Sequence, residues 1–461
     1  MTADRLAALP DPAGMSDAEL QTEVAALIDA DAASARRWAC DRQDCDGPPH
    51  EGWLHHHARG SQVTPGGEWT SWLLLTGRAW GKILAVNTLI PTPDGWKKNG
   101  ELRVGDQVFD ESGRPCTMTA VFDAVPECAY RLHFSDGTTI DACADHQWVT
   151  WDSAARKALN RSAGTDGQFP EDWPSWRAPG RWGNGRSDGR GPRVVTTQEI
   201  VDTITVGKRG DTNHAVPTCR PLELPEAELP VDSYLFGVWL GDGDSRQAII
   251  TSADEEIPAA FEAAGHPVLQ VEHRKGFCPR WSISGLLPRL RALGVLANKH
   301  VPSVYLRASR QQRMDLLAGL MDADGYAEAS KVEFCTTRRQ LADAVVELAR
   351  SLGQKPRLYE ERAKYAGKDH GSRWRVAWRS TIPMFRLPRK QSRHALGRAP
   401  QQLRNHHRMI VRAEPIPPQP MRYLSVDSPN RMYLAGEGMV PTHNTRTAAE
   451  GVRDWAATRA R

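Results

Sequence analysis

One short motif is broken in two, and the break constrains everything between its halves. Residues 72–82 read Trp72-Leu73-Leu74-Leu75-Thr76-Gly77-Arg78-Ala79-Trp80-Gly81-Lys82, an apolar strand running into a Gly-rich turn. Residues 445–450 read Thr445-Arg446-Thr447-Ala448-Ala449-Glu450, the start of a helix. Joined, they form strand, turn, Gly-Lys-Thr and helix, a phosphate-binding loop. Such a loop needs its hydroxyl residue directly after the lysine, because that oxygen binds the nucleotide's magnesium. Here residues 83–444 intervene. The intervening chain is therefore expected to fold as a unit of its own with Ile83 and Asn444 side by side. Gly81, Lys82 and Thr445 are the candidate nucleotide-binding residues.

Bulk properties exclude little. A chain of 461 residues, 40% hydrophobic, can build a core in each of two or three domains. Its net charge of +3 is almost neutral. Residues 373–412 are rich in Arg with few acids between, which suits a phosphate backbone or, equally, a solvated face. No apolar run is long enough to span a membrane, and the N-terminus lacks signal-peptide organisation, so no membrane partner and a cytoplasmic location are expected. The eight cysteines are scattered, which fits a reducing compartment. Cys40 and Cys45 with His55, His56 and His57 match no standard zinc-finger spacing, and a chance cluster is the simpler account.

Turn signals at Asp94-Gly95, Ser112-Gly113 and Asp136-Gly137 divide residues 83–150 into short strands. Residues 160–193 are rich in Gly, Arg, Pro and Trp without periodicity. Two helix–strand units follow at 231–385, and strands return at Tyr423–Val426 and Met432–Leu434. The divisions expected are an upstream segment 1–82, a first β part 83–150, a linker or insertion 151–230, an α/β part 231–385, a linker with a second β part 386–444, and a downstream segment 445–461.

Four blocks in the β parts occur in a fixed order. They are Leu84–Trp96, Val104–Asp110, Asp145-His146-Gln147-Trp148, and Met439–Asn444. In these the chain resembles an intein, the self-splicing element of the Hint (hedgehog/intein) family. The resemblance implies that the Asn444 side-chain amide attacks its own main-chain carbonyl and cuts before Thr445, with His443 polarising that carbonyl. Thr445 would receive the upstream segment as an ester. His146 would protonate the leaving nitrogen at the Lys82–Ile83 junction.

Position 83 is Ile, not the Cys or Ser that usually makes the first acyl shift. The resemblance is therefore to class 3 inteins, which use a later Cys supported by a Trp and a Thr. Trp148 and Thr442 match the latter two, but Tyr423 stands where that Cys is expected, and no cysteine follows Cys335. A phenol is a poorer route to an acyl intermediate than a thiolate. Cys143 is the only nearby candidate replacement, but the family usually has Thr there, which assists rather than attacks, so Cys143 is not expected to take over. Cleavage at Asn444 is expected to survive while complete splicing is slow or absent.

Within the α/β part, Leu235-Phe236-Gly237-Val238-Trp239-Leu240-Gly241-Asp242-Gly243 and Leu317-Ala318-Gly319-Leu320-Met321-Asp322-Ala323-Asp324-Gly325 are two versions of one motif. Gly237 with Gly241, and Gly319 with Ala323, fall four apart on one helical face, allowing two helices to pack closely with Asp242 and Asp324 at their ends. The pair resembles LAGLIDADG (DOD-type) homing endonucleases. That implies a monomeric pseudodimer cutting double-stranded DNA with Mg2+ held by Asp242 and Asp324. Asp322 competes for the metal role, but the family's acid directly precedes the closing Gly. Lys299 matches a basic residue placed near the scissile phosphate, or is a stray surface lysine. Arg274, Lys275, Arg280, Arg338 and Arg339 are candidates for DNA contact.

The flanks, through Glu68–Leu75 and Thr445–Trp455, resemble the start of a phage terminase large subunit, a DNA-packaging ATPase. ATP would matter only to a spliced, complete terminase. Residues 1–82 joined to 445–461 hold neither the acidic strand that activates water nor a nuclease domain, so no ATPase activity is expected of this chain. The fold class expected is multidomain: an all-β Hint domain interrupted by an α/β LAGLIDADG pseudodimer, with short terminase-like flanks. The leading function is site-specific DNA cleavage with self-splicing or self-cleavage. The alternatives are a packaging ATPase assembled after splicing and an inert relic.

Overall fold

The computed structural model describes residues 83–162, 192–272, 277–365, 368–397 and 403–443. All of these fall in one compact unit, Gly81–Asn444. Gly81, Lys82, Asn444 and Thr445 lie outside the described residues, as do Arg274, Lys275 and the Cys40–His57 cluster.

The β part is built on an eight-stranded sheet in which every described pairing is antiparallel. Its strand order is Ala215–Pro217, His407–Ile416, Ala129–Phe134, Thr139–Cys143, Leu84–Ala85, Met421–Val426, Pro115–Ala124, Gln107–Phe109. The two-residue strand Leu84–Ala85 is central: Leu84 pairs with Ala142 on one side and with Arg422 on the other. A strand that short cannot hold its place by its own ladder. Buried Asn99 fixes it, its amide Nδ2 donating to Leu84 O (3.0 Å), Ala85 O (3.3 Å) and Arg422 O (3.2 Å). Further two-stranded pairs of the β part include Gln147–Thr150 with Arg193–Thr196 and Met432–Ala435 with Val440–His443. Between them they bury Trp148, Val149, Tyr433 and Val440.

The segment 151–230, expected as linker, differs. Its residues 193–217 contribute four short strands, one of them the sheet's edge. Arg-Val-Val-Thr and Ala-Val-Pro are too short to carry readable periodicity, and the biased stretch before them masks the return to order. The boundary at 385 also moves. Leu387 lies in the α/β core, and the Ala329 amide donates to Arg393 O (3.0 Å), so the α/β part runs to about His394.

The α/β part is two similar halves around paired helices, α1 (Ser233–Asp242) and α2 (Arg310–Asp324). Asp232 caps α1 and Ser309 caps α2, each accepting from amides of the first turn. A three-stranded sheet (Ile249–Thr251, Arg280–Ile283, Val268–Glu272) covers one half. A four-stranded sheet (Gly325–Glu328, Lys331–Thr336, Lys368–Arg379, Arg357–Tyr365) covers the other. α1 is buried nearly all round, so it has no marked polar face, and α2 is buried mainly from Leu316 to Asp322. Residue Arg350 joins the two parts, donating Nη1 to Glu437 O (3.0 Å) in the turn before Val440–His443.

Candidate functional site

The first constellation sits where α1 and α2 end together. A side chain at Gly237 would collide with Leu316 O, one at Gly319 with Tyr234 O, and one at Gly241 with the Ala323 methyl. Backbone therefore meets backbone along the whole contact, and the two final residues arrive side by side. Asp324 Oδ2 lies 3.3 Å from where a Gly241 Cβ would stand. Gly243 and Gly325 close the helices with extended rather than left-handed backbone (φ −77° and −89°). Glycine is required there by crowding, since a Cβ would strike Trp239 O or Met321 O of the preceding turn.

Two carboxylates so placed resist ionisation. Burial, and then the Asp324 carboxylate, push Asp242 up to about 6. Asp324 opens toward solvent, yet the crowded helix ends still raise it. Two lysines offset the pair. Lys299 donates to Leu240 O (3.1 Å), Gly241 O (3.3 Å) and Gly243 O (2.5 Å). Lys390 donates to Met321 O (3.0 Å), Ala323 O (2.9 Å) and Gly325 O (2.9 Å). The two lysines occupy matching places in the two halves, each satisfying the orphan carbonyls of its helix terminus. All three N–H donors of each are directed at carbonyls, so each acts on the acids through its charge. Burial lowers both ammonium groups, Lys299 to about 8.

Lys390 was not singled out in the sequence. The available signal was weak: a lysine beyond each motif's acid, in Asn298-Lys299 and in Arg389-Lys390. Asp322 has another job. It accepts from Tyr234 Oη (2.9 Å), Arg386 N (2.9 Å) and Leu387 N (3.2 Å), holding the segment that presents Lys390. Of the DNA-contact candidates, Arg338 lines a cavity of about 460 Å3 with Lys299, Asp324 and Arg373. Arg339 instead stacks on Trp374 and pairs with Asp343, and Arg280 faces Asp244 at 3.5 Å. The arginine-rich stretch 373–412 is largely paired within the protein: Arg373 and Arg375 with Glu361, Arg386 with Asp315, Arg389 with Asp254, Arg408 with Asp136 and Arg412 with Glu414.

No group of three or more His, Cys, Asp or Glu able to hold a metal occurs among the described residues. Two carboxylates fit a hard divalent ion only if phosphate and water oxygens complete its shell, the manner in which Mg2+ is commonly held.

The second constellation lies in the β part. His146 Nε2 is hydrogen-bonded to Thr442 Oγ1, and both residues are fully buried. The Trp148 ring meets the His146 ring edge-on at 4.8 Å, and its Nε1 donates to Thr197 Oγ1 (3.0 Å). The Thr197 amide in turn donates to His146 O (2.8 Å), closing a network that fixes the imidazole. Ile83 reaches the same place, its carbonyl accepting from Cys143 N (3.2 Å) while His146 N donates to Cys143 O (3.1 Å). His443 pairs with Met432 at the end of its strand. Tyr423 is buried against Phe122, with ring centroids 5.8 Å apart. His146, Trp148, Thr442, Cys143 and Ile83 are thus brought together, and the last described residue, His443, adjoins Thr442.

The geometry defines two separate sites, a paired-acid site on paired helices and a histidine-centred site at the ends of the β scaffold. Residues 311–386 match the LAGLIDADG-like domain family. A replicative DNA helicase DnaB of Mycobacterium intracellulare is 35% identical over 381 residues, covering 81% of this chain and 60% of that protein. This chain thus spans 60% of the length of that relative. A replicative DNA helicase DnaB of Mycobacterium leprae (strain TN) is 41% identical over 71 residues, 15% of this chain and 12% of that protein. Among solved structures, the MchDnaB-1 intein covers 78% of this chain and 99% of its own at 14% identity, with a TM-score of 0.25 too low to carry an argument.

Proposed function

We propose that residues 83–444 are an intein carrying a homing endonuclease, and that the chain both cuts itself and cuts double-stranded DNA at a specific site. One observation carries the reading. The first residues of the insert and Thr442, next to its end, meet on one β scaffold through Cys143 and His146. An ordinary domain has no need to bring its two ends to a buried histidine; a segment that excises itself does.

At the downstream junction Asn444 cyclises onto its own carbonyl while His443, anchored by the Met432 pairing, relays the proton. Thr442 holds His146, which is positioned to protonate the nitrogen of Ile83. Thr445 accepts the upstream segment. Tyr423, a buried phenol, is a poor first nucleophile, so ligation depends on whether another group starts the acyl transfer.

In the α/β part, Asp242 and Asp324 would hold Mg2+, and Lys299 and Lys390 balance the carboxylates. Bound there, the ion supplies an activated water and neutralises charge on the leaving oxygen. Two unequal halves in one chain suit an asymmetric DNA site read by a monomer.

The interrupted host is a phosphate-loop protein acting on DNA, with Gly81, Lys82 and Thr445 as its nucleotide contacts and ATP as its ligand once rejoined. The flanking residues resemble a terminase; the names of the two relatives favour a replicative helicase. Uninterrupted DNA from each gene, spanning the Gly-Lys/Thr codons, tests both questions with Mg2+ and purified protein. Cleavage of one at the insertion point supports homing and names the host. Intact DNA in both, together with an unprocessed protein mass, overturns the proposal.

A further inference from the structure

The described residues hold six cysteines, and one of them lies at the upstream junction. Cys143 is buried, its amide donates to Ile83 O (3.2 Å) and its carbonyl accepts from His146 N (3.1 Å), so it is the cross-strand neighbour of the insert's first residue. The Ile83 nitrogen is the leaving atom of the Lys82–Ile83 bond, and the carbonyl carbon under attack is about 1.33 Å from it by covalent geometry. The thiol is therefore carried by the residue that pairs with Ile83. Tyr423, on the strand at the other side of Leu84–Ala85, packs its ring against Phe122.

A second observation is independent of the thiol. Tyr433 is 1% exposed, and its hydroxyl has no hydrogen-bond partner among the described residues. Tyr433 stands directly opposite Thr442, so both side chains project from the same face, toward His146 and Cys143. An unsatisfied buried hydroxyl costs about 1–3 kcal/mol, and a carbonyl oxygen carried on the Cys143 sulfur is a group that would satisfy it.

Resting on the intein reading, we propose that Cys143 is the first nucleophile of splicing, taking the place of the missing residue-83 and residue-423 thiols, with Tyr433 as a positioning donor for the acyl oxygen. The Cys143 sulfur bonds to the Lys82 carbonyl carbon, and the Lys82–Ile83 C–N bond breaks. The thiol proton passes by way of His146 to Ile83, which leaves as a free amine. Residues 1–82 are then a thioester on Cys143. Attack by the Thr445 hydroxyl moves them to an ester and returns the thiol. No oxidant or co-reactant is consumed. Burial raises the thiol to about 11, so proton removal accompanies attack and the step accelerates with rising pH.

The test uses the full chain with Asn444→Ala, which keeps the downstream junction closed. Hydroxylamine should release residues 1–82 as a hydroxamate, and Cys143→Ala should reduce that release to the buffer control. Tandem mass spectrometry of the acid-quenched branched species, in protein with Cys143 intact, should find the acyl group on Cys143 and a free amine on Ile83. Tyr433→Phe should slow release without moving the branch point. Release that persists in Cys143→Ala, a branch mapped to Tyr423, or a Thr445 branch that still forms in Cys143→Ala overturns the proposal. So does a lack of release in the test chain when the parent, with Asn444 intact, cleaves there. A chain that cleaves at neither junction, with or without hydroxylamine, sinks the intein reading as well.

Discussion

The paired-acid site and the β-scaffold site solve positioning in opposite ways. Asp242 and Asp324 are placed by repetition: the same close-packed helix occurs twice, and twofold pairing delivers both acids without long-range register. The site is held by charge, two carboxylates against two lysines. His146 and Thr442 are placed by register across 296 positions of chain, and the network around them is hydrogen-bonded and largely uncharged. A duplicated site tolerates divergence between its copies. A register site fails as a whole when one strand slips, because a one-residue shift turns every side chain to the other face.

The sharpest way to break this comparison is to remove one acid. Asp324→Asn should abolish DNA cleavage in a plasmid-linearisation assay while Asn444-dependent self-cleavage, followed by mass, continues at its original rate. Loss of both activities would mean that the two sites are one. Next in size is Lys390→Met. It strips the Met321, Ala323 and Gly325 carbonyls of their donor and leaves the acids more repelled. Cleavage should fall as far as in Lys299→Met. A much smaller loss than in Lys299→Met would show that the halves are not equivalent.

The same contrast explains what could be read in the sequence. The repeated Gly-xxx-small-Asp-Gly pattern exposes helix packing and acid placement directly, because residues four apart share a face. Lys390 stayed hidden since its partners are main-chain carbonyls, which leave no side-chain signature. In the β part, blocks around His146 and Thr442 could be located, but not the role of Asn99. Its contacts are with carbonyls of Leu84, Ala85 and Arg422, set only by a strand order that no local pattern encodes. Residues 193–217 were missed for a related reason, since strands of three or four residues gain their stability from neighbours rather than from propensity. The arginine-rich stretch misled because charge alone does not reveal partners such as Glu361 and Asp136.

A smaller effect separates packing from charge within the paired helices. Gly319→Ala puts a methyl against the Tyr234 carbonyl. Overpacking of this kind costs about 1–3 kcal/mol, so urea unfolding should shift to lower midpoint and DNA cleavage should weaken with it. An unchanged midpoint would mean that the helices have room to separate. The β-scaffold site should be less affected, provided that the Arg350–Glu437 link does not carry the distortion across.

Glu111 is a charge-sensitive point of the β part, and it offers the finest test. Glu111 is buried, and while Oε1 accepts from Asn430 Nδ2 (2.5 Å), Oε2 has no hydrogen-bond partner among the described residues. Burial raises its carboxyl from 4.5 to about 7. Since the folded form holds the proton more tightly than the unfolded form, Glu111 costs nothing below the unfolded value, and stability falls as pH climbs from 4.5 toward 7. Above that the cost is complete, at most about 3 kcal/mol. Glu111→Gln should therefore be more stable than the parent at alkaline pH, with the two melting curves converging in acid. Because Asn430 leads into the strand pair ending at His443, the same variant should make self-cleavage less dependent on pH. Parallel curves would show that the β scaffold, like the helical site, balances this charge with a partner.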